Sequence, residues 1–497
     1  MDRLRFHKKE QGRSFYEVGE DYINDLTNRS MIQSSYINIH SKKPTSICVH
    51  DMVHNLITRL SIEEAVQHTK NEDTPTITPN LQRRYCQTAI NLIISSPGFP
   101  LPTLTSFHNK KPIFTIKFSK FIRLLDLDLQ YCKELDNHYF KGICNLVLLR
   151  YLRLSSETIT EIPEQIRKLH VLQILDTTRN KAYCNSVKSL QYTQNRGNYY
   201  ILHIDVNRTG VDELPSTFIQ LRKLLYLGFR CLKGIPVGFG DLKHLQELHG
   251  TITVKSTTMM HNLFELTKLR RLDLKFNEWD ESYGKSFIIK CPSNLVSLEI
   301  LELEGCTGDL GSQCDGLNPR PQQLRIIRIA RSTIVRAVTR WMCSLHALST
   351  LHITLQTLGA EDLHVLGSIP VLSLLRLTVE EPTQGRGEKL VITDAYPFLC
   401  LTSFEIWKNT GVAFAQGAMP KLQAPVLVFG VLETLANSGD FDFGLENLSS
   451  LVEVYVRMGY PKGKSDKVKG AEEAIRNALD MNPNKPMLYT NRVIILV

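Results

Sequence analysis

Apolar and polar positions alternate along most of this chain in one recurring phrase, written most plainly at Leu149-Arg150-Tyr151-Leu152-Arg153-Leu154. The form is apolar-x-x-apolar-x-apolar. It returns at Leu172–Thr177, Leu224–Phe229, Leu269–Leu274, Leu298–Leu303, Leu348–Ile353 and Leu372–Leu377. Alternate apolar residues over so short a span predict a strand with one buried face. Between the phrases stand Glu161-Ile162-Pro163, Glu213-Leu214-Pro215 and Gly234-Ile235-Pro236, each followed by a second apolar stretch. Proline offers no N–H to a ladder, so it stops the strand and opens a return arm.

The central apolar residues run Leu125, Leu152, Leu175, Leu202, Leu227, Leu248, Leu272, Leu301, Ile327, Leu351, Leu375, Phe404, Pro425 and Val454, at spacings of 21 to 29 residues. That period is the leucine-rich repeat. The fold class predicted is therefore an α/β solenoid, a leucine-rich-repeat horseshoe. Each unit buries its apolar face against its neighbours. The polar stretches Asn180–Tyr199 and Gly308–Pro321 interrupt the period and read as insertions. Repeats are expected over 81–470, with Arg84–Ile94 and Leu101–Phe107 as imperfect first units. A capping helix and tail are expected over 471–497, where Ala471, Ala474, Ile475, Ala478 and Leu479 share a stripe and Pro483 and Pro486 end it.

The first 64 residues follow another pattern. Val18, Tyr22, Ile23 and Leu26 fall at helical spacing. Met31-Ile32-Gln33 and Ile47-Cys48-Val49-His50 read as two strands around a polar loop, Ser34–Ser46. Met52, Val53, Leu56, Ile57 and Leu60 stripe a second helix, with Asp51 as its N-cap. Helix, wing, helix is part of a winged-helix unit, joined by a polar linker at 65–80 to the repeats.

Composition narrows the function classes. A net charge of +9 over 497 residues, with no long basic block, does not point to nucleic acid as the ligand. Eleven cysteines without a C-x-x-C pair predict reduced thiols in a cytoplasmic protein. No run of apolar residues is long enough to span a membrane. No P-loop and no nucleophile elbow is present, so no catalytic residue is assigned. His50-Asp51-Met52-Val53-His54 has the histidine spacing of a zinc helix. Asp is one methylene shorter than the usual Glu there, and no third ligand follows, so no metal site is predicted. From the residues alone His50 fits either a structural histidine or an anion contact at a helix start.

On the strands, the side chains beside the central leucines would line the concave face. The candidates for protein binding are Tyr151, Arg153, Tyr226, Arg230, Arg328, His352, Arg376, Trp407 and Tyr455. Tyrosine, tryptophan and arginine are the residue types that anchor protein interfaces.

Two segments carry a resemblance. Phe15–Leu26, Asn28–Gln33 and Cys48–Val53 resemble the winged-helix end of the nucleotide-binding module in plant nucleotide-binding leucine-rich-repeat disease resistance proteins of the coiled-coil class. The run Ala474–Asn484 resembles the end of such receptors. The resemblance implies that Val49-His50-Asp51 is the family's Met-His-Asp motif, with His50, and less directly Asp51, touching the β-phosphate of ADP. It implies a module that recognises a pathogen effector or a host protein and contacts the nucleotide-binding domain of an intact receptor. ADP or ATP belongs to the full-length family, and this chain alone is expected to hold no cofactor. The competing readings are a general repeat scaffold or adaptor without an immune role, and the non-functional product of a truncated gene.

Overall fold

The computed structural model describes residues 15–37, 44–49, 52–53, 103–105, 126–129, 135–154, 156, 158–177, 210–277, 294–305, 322–329, 334–338, 340–380, 390–396, 398–461 and 465–495. The chain divides into two compact units, Met1–Arg83 and Arg84–Val497.

In the first unit, helix α1 (Phe15–Asn28) precedes strands β1 (Ile32–Ile37) and β2 (Pro44–Val49). The strands pair antiparallel from Ile32 opposite Val49 to Ile37 opposite Pro44. Both strands reach into the stretch expected to be a polar loop. A two-stranded wing needs no continuous apolar face, so serines and threonines can occupy its ladder. Met52 and Val53 are helical. His50, Asp51 and His54 lie outside the described residues, as do residues 65–80 and 84–94.

Among the described residues the second unit is built on a sheet of fifteen parallel strands. In chain order the strands are β3 (Thr103–Thr105), β4 (Asp126–Leu129), β5 (Tyr151–Leu154), β6 (Ile174–Asp176), β7 (Tyr226–Leu232), β8 (Glu247–Val254) and β9 (Arg271–Phe276). Then come β10 (Ile300–Glu304), β11 (Ile326–Ile329), β12 (Thr350–Leu355), β13 (Leu374–Val379), β14 (Leu390–Ile392), β15 (Ser403–Trp407) and β16 (Val412–Phe414). The last are β17 (Ala424–Gly430), β18 (Glu453–Pro461) and β19 (Met487–Ile495). Among the described strands of this unit, β14 and β16 stand apart as a parallel pair of their own. One ladder row runs through Leu127, Leu152, Leu175 and Leu227, and another through Leu272, Leu301, Ile327, Leu351, Leu375 and Phe404. All of these are buried, and all but Leu127 are central apolar residues expected of the repeated phrase.

Two expectations change. Leu127, not Leu125, stands opposite Leu152. Apolar residues at 125, 127 and 129 share one parity, so alternation fixes the face but not the frame. β6 pairs directly with β7. Leu202 and the polar stretch Asn180–Tyr199 fall within 178–209, which lie outside the described residues. At the C-terminus the helix starts at Ser465, not near Ala471, and the stretch read as a tail is strand β19, paired with β18 over nine residues. The helix Ser465–Met481 is thus the return arm between two sheet strands. Proline at 483 and 486 ends that arm, and the β-prone residues after it find a free ladder beside β18.

The return arms are short helices and 3₁₀ turns that bury one side chain or a few against the strands. Pro163 and Pro215 sit at extended dihedrals just before turns Glu164–Lys168 and Ser216–Gln220, which bury Ile166 and Phe218. Phe218 stacks on Phe239 of the next turn at 6.4 Å. Where the arm is α-helical, Asp136 and Ser256 accept the N–H of Tyr139 at 3.0 Å and of Met259 at 3.2 Å. Such caps contribute about 1 kcal/mol each. Asp362 joins two units: it accepts from Gly359 N–H in its own helix and from Val338 N–H, at 2.8 Å, in the preceding repeat. Gly305 holds φ at 80°, and a Cβ there would lie 1.9 Å from the Phe276 carbonyl oxygen, so the strand-to-loop exit after β10 requires glycine.

The open face of the sheet as a candidate recognition surface

The alternation that buries the leucines turns their neighbours outward, and the register stacks these neighbours in rows. Asp273, Glu302, Arg328, His352, Arg376 and Glu405 follow one another on β9 to β15. Val426, Tyr455 and Tyr489 extend that row to the last strand. A parallel row holds Thr378, Trp407, Val428, Arg457 and Asn491. Arg153 belongs to the same row position on β5, opposite Asp176 at 3.1 Å. Tyr151 and Tyr226 occupy the position before the central leucine.

Eight of the nine candidates therefore share one face. Arg230 stands in a break of the register. The register between β7 and β8 breaks after Gly228, and Arg230 is exposed beside a small recess lined by Leu154, Ser156, Ile159, Thr177 and Val211. A bulge re-aims a side chain, which alternation alone does not reveal.

Charges on this face are paired across strands. Arg271 meets Asp273 at 3.1 Å and Glu302 at 3.0 Å, and Arg328 closes on the same Glu302 oxygen at 2.5 Å. Lys275 reaches Glu304 at 2.8 Å. Asp273, Glu302, Glu304 and Arg328, together with His352, Arg376, Thr251 and Thr378, line a cleft of about 270 Å³ over β8 to β13. One oxygen of Asp273 has no hydrogen-bond partner, and the residue is 8% exposed. Burial, and then the neighbouring Glu302 carboxylate, push Asp273 up from 3.8 to about 6, against the pull of Arg271. The native state thus holds this proton between pH 3.8 and about 6, where the unfolded chain has released it. Asp273 therefore removes stability at neutral pH and gives it back as pH falls through about 6. Asp273→Asn should raise stability by about 1–3 kcal/mol at neutral pH. In paired thermal melts the gain should shrink as pH is lowered from 6 toward 4. A pH-independent difference would contradict the assignment.

The C-terminal part of the face is aromatic. Arg376 donates to Glu405 at 2.6 Å, and the Trp407 indole N–H donates to the other Glu405 oxygen at 2.6 Å. Glu405 is buried, so this doubly bonded carboxylate fixes both neighbours. The Arg457 guanidinium lies over the Trp407 ring, 5.6 Å from its centroid. Tyr455 stacks on Tyr489 at 4.7 Å and donates its hydroxyl to Glu453 at 3.0 Å. Burial, then that bond to Glu453, raise the Tyr455 phenol to about 12, so it stays a donor. On the N-terminal side, Tyr226 faces His249 at 5.0 Å, and His249 meets Glu247 at 2.7 Å. Burial, then Asp176 and Glu247, raise the Tyr226 phenol well above its ordinary range.

The sequence reading left out Tyr489 and Arg271. Tyr489 sat in the supposed tail. The period-two β-prone run Met487–Ile495 was the available signal. Arg271 precedes its leucine, and only the register shows that it bridges two strands.

A parallel sheet of repeated strands with one arm per turn and a polar, aromatic open face defines a leucine-rich-repeat solenoid. The family model for the leucine-rich repeat region matches residues 103–191 and 200–488, and that for the disease resistance protein winged helix domain matches residues 4–57. The chain belongs to the leucine-rich-repeat family of plant disease resistance proteins. It is 23% identical to disease resistance protein Pik-2 of Oryza sativa subsp. japonica over 98% of this chain and 50% of that protein. It is 25% identical to disease resistance protein RGA5 of the same plant over 94% of this chain and 40% of that protein. Disease resistance RPP13-like protein 4 of Arabidopsis thaliana is 26% identical over 63% of this chain and 34% of that protein. The chain thus spans about half the length of the curated relatives it matches, or less. A leucine-rich-repeat protein of Leptospira interrogans is similar in structure, with a TM-score of 0.45, 16% identity and coverage of 84% of this chain and 100% of that one. Among the described residues no helix is long and apolar enough to cross a membrane.

Proposed function

We propose that this chain is the recognition and autoregulatory module of a plant immune receptor, and that it binds a pathogen effector or a host protein on the open face of its sheet. The observation that carries the reading is the linked set Arg376, Glu405, Trp407 and Arg457. It holds a tryptophan and two arginines in fixed positions on that face. Residues held before binding lose little freedom on binding. The chain acts by binding, not catalysis, and works in the cytoplasm.

The same reading gives the first unit a part in autoregulation. His50 and Asp51 would touch the β-phosphate of ADP only when a nucleotide-binding domain with a P-loop, a motif this sequence does not contain, stands beside them. A scaffold or adaptor without an immune role would share the face but not the winged-helix match at residues 4–57. The test is to capture partners from pathogen-challenged leaf extract with the purified chain. Identified partners are then re-measured singly against variants of Trp407, Tyr455 and Arg376. Binding that depends on these residues supports the reading, and binding indifferent to all three sinks it.

A further inference from the structure

Strand β19 is the last strand of the large sheet, and its outer edge bears no strand among the described residues. The other end of the sheet, β3, is three residues long; β19 has nine. A long, flat edge is a template for pairing, and proteins normally blunt it with proline, lysine or a bulge. β19 carries none of these. Its register with β18 is unbroken from Met487 to Ile495. Its single charge, Arg492, is bonded to Glu472 through Nε at 2.8 Å and Nη2 at 2.6 Å. Meanwhile Met487 is 57% exposed, Ile494 53%, and Tyr489 and Val493 37% each.

The geometry of the strand says what can pair with it. Met487 N–H donates inward, to Val452 at 3.0 Å. In a strand the N–H and C=O of one residue point to the same side, and the side alternates. Leu488, Thr490, Arg492 and Ile494 therefore offer their N–H and C=O groups outward. A second β19 laid antiparallel, with a two-fold axis at Asn491, matches this parity. Thr490 would face Arg492 of the second copy, and Leu488 would face Ile494, as hydrogen-bonded pairs. Tyr489 would face Val493, and Asn491 its own copy, as non-hydrogen-bonded pairs. Leu488 thus meets Ile494 and Tyr489 meets Val493, polar residues meet polar ones at Thr490–Arg492 and Asn491–Asn491, and no charge meets a like charge, which is the pairing that stabilises a sheet.

We propose that β19 is a self-association edge, pairing antiparallel with β19 of a second copy of this chain about an axis at Asn491. Joining two such edges continues the sheet from one copy into the next and keeps the two open faces on the same side.

Sedimentation equilibrium on the full chain from about 1 to 100 μM should show reversible dimers, because assembly follows mass action. Thr490→Pro removes an outward N–H but no bond to β18, so the fold should persist while self-association weakens at least tenfold. Should its melt fall, Ile494→Lys, which places a lysine on the edge, tests the same contact without touching the backbone. The register is read by Asn491→Cys. Facing α-carbons of a non-hydrogen-bonded pair stand about 4.5 Å apart, within disulfide range. Mild oxidation should give a covalent dimer at Asn491→Cys, above the level of the unsubstituted chain, and little at Thr490→Cys. A chain that stays monomeric throughout, a Thr490→Pro or Ile494→Lys variant that associates undiminished, or equal cross-linking at both cysteines would overturn the proposal.

Discussion

Phe404→Ala is expected to cost about 3–5 kcal/mol, the range for a fully buried aromatic truncated in a packed core. Phe404 has no exposed surface, stands in the ladder between Leu375 and Pro425, and meets Phe414 edge-on at 6.2 Å. It therefore fills space between the large sheet and the small pair β14 and β16. In a solenoid each unit is stabilised only by its neighbours, so the damage should stay local. Hydrogen exchange should show β13, β15 and β17 losing protection while β4 to β6 keep theirs. Leu399→Ala, at a residue 63% exposed, is the control and should change stability by no more than about 0.5 kcal/mol. Uniform loss of protection along the whole sheet would show that the array folds as one block.

Trp407→Ala should be the largest loss of binding on the open face, at least about 2 kcal/mol, or thirtyfold in Kd, for a partner seated there. The indole is fixed on one edge by Glu405 and covered by Arg457. Its removal deletes contact area and also frees two side chains that were held. Trp407→Phe keeps a ring for Arg457 but loses the bond to Glu405. Its cost should be about 1 kcal/mol, the net worth of one hydrogen bond. Calorimetric titration of a captured partner against both variants separates the two contributions. Equal losses for Ala and Phe would mean that the indole N–H, not the ring, carries the contact.

Much of this fold was legible because its core obeys a period of two. Each buried leucine of the phrase is followed by an outward residue, so the alternation alone places Arg328, His352, Arg376, Trp407 and Tyr455 on one face. What alternation does not carry is distance along the chain. Arg376 and Glu405 meet although 29 residues separate them, because the connection lengths between β13 and β15 happen to bring them into register. Nor does alternation carry the register break between Gly228 and Cys231, in which Arg230 stands. β19 was concealed by the two prolines before it, which mark the end of a helix rather than the end of the fold.

The central claim is that the open face recognises a partner. One measurement addresses it most directly: the affinity of an identified partner for a panel of single alanine variants from both sides of the solenoid. The open-face set is Arg376, Trp407 and Tyr455. The opposite set is Val237 and Leu399, exposed at 88% and 63% on the connecting segments. Losses of tenfold or more, about 1.4 kcal/mol, are expected in the first set and none in the second. Losses confined to Val237 and Leu399, with the open-face variants binding as the natural chain does, would contradict it.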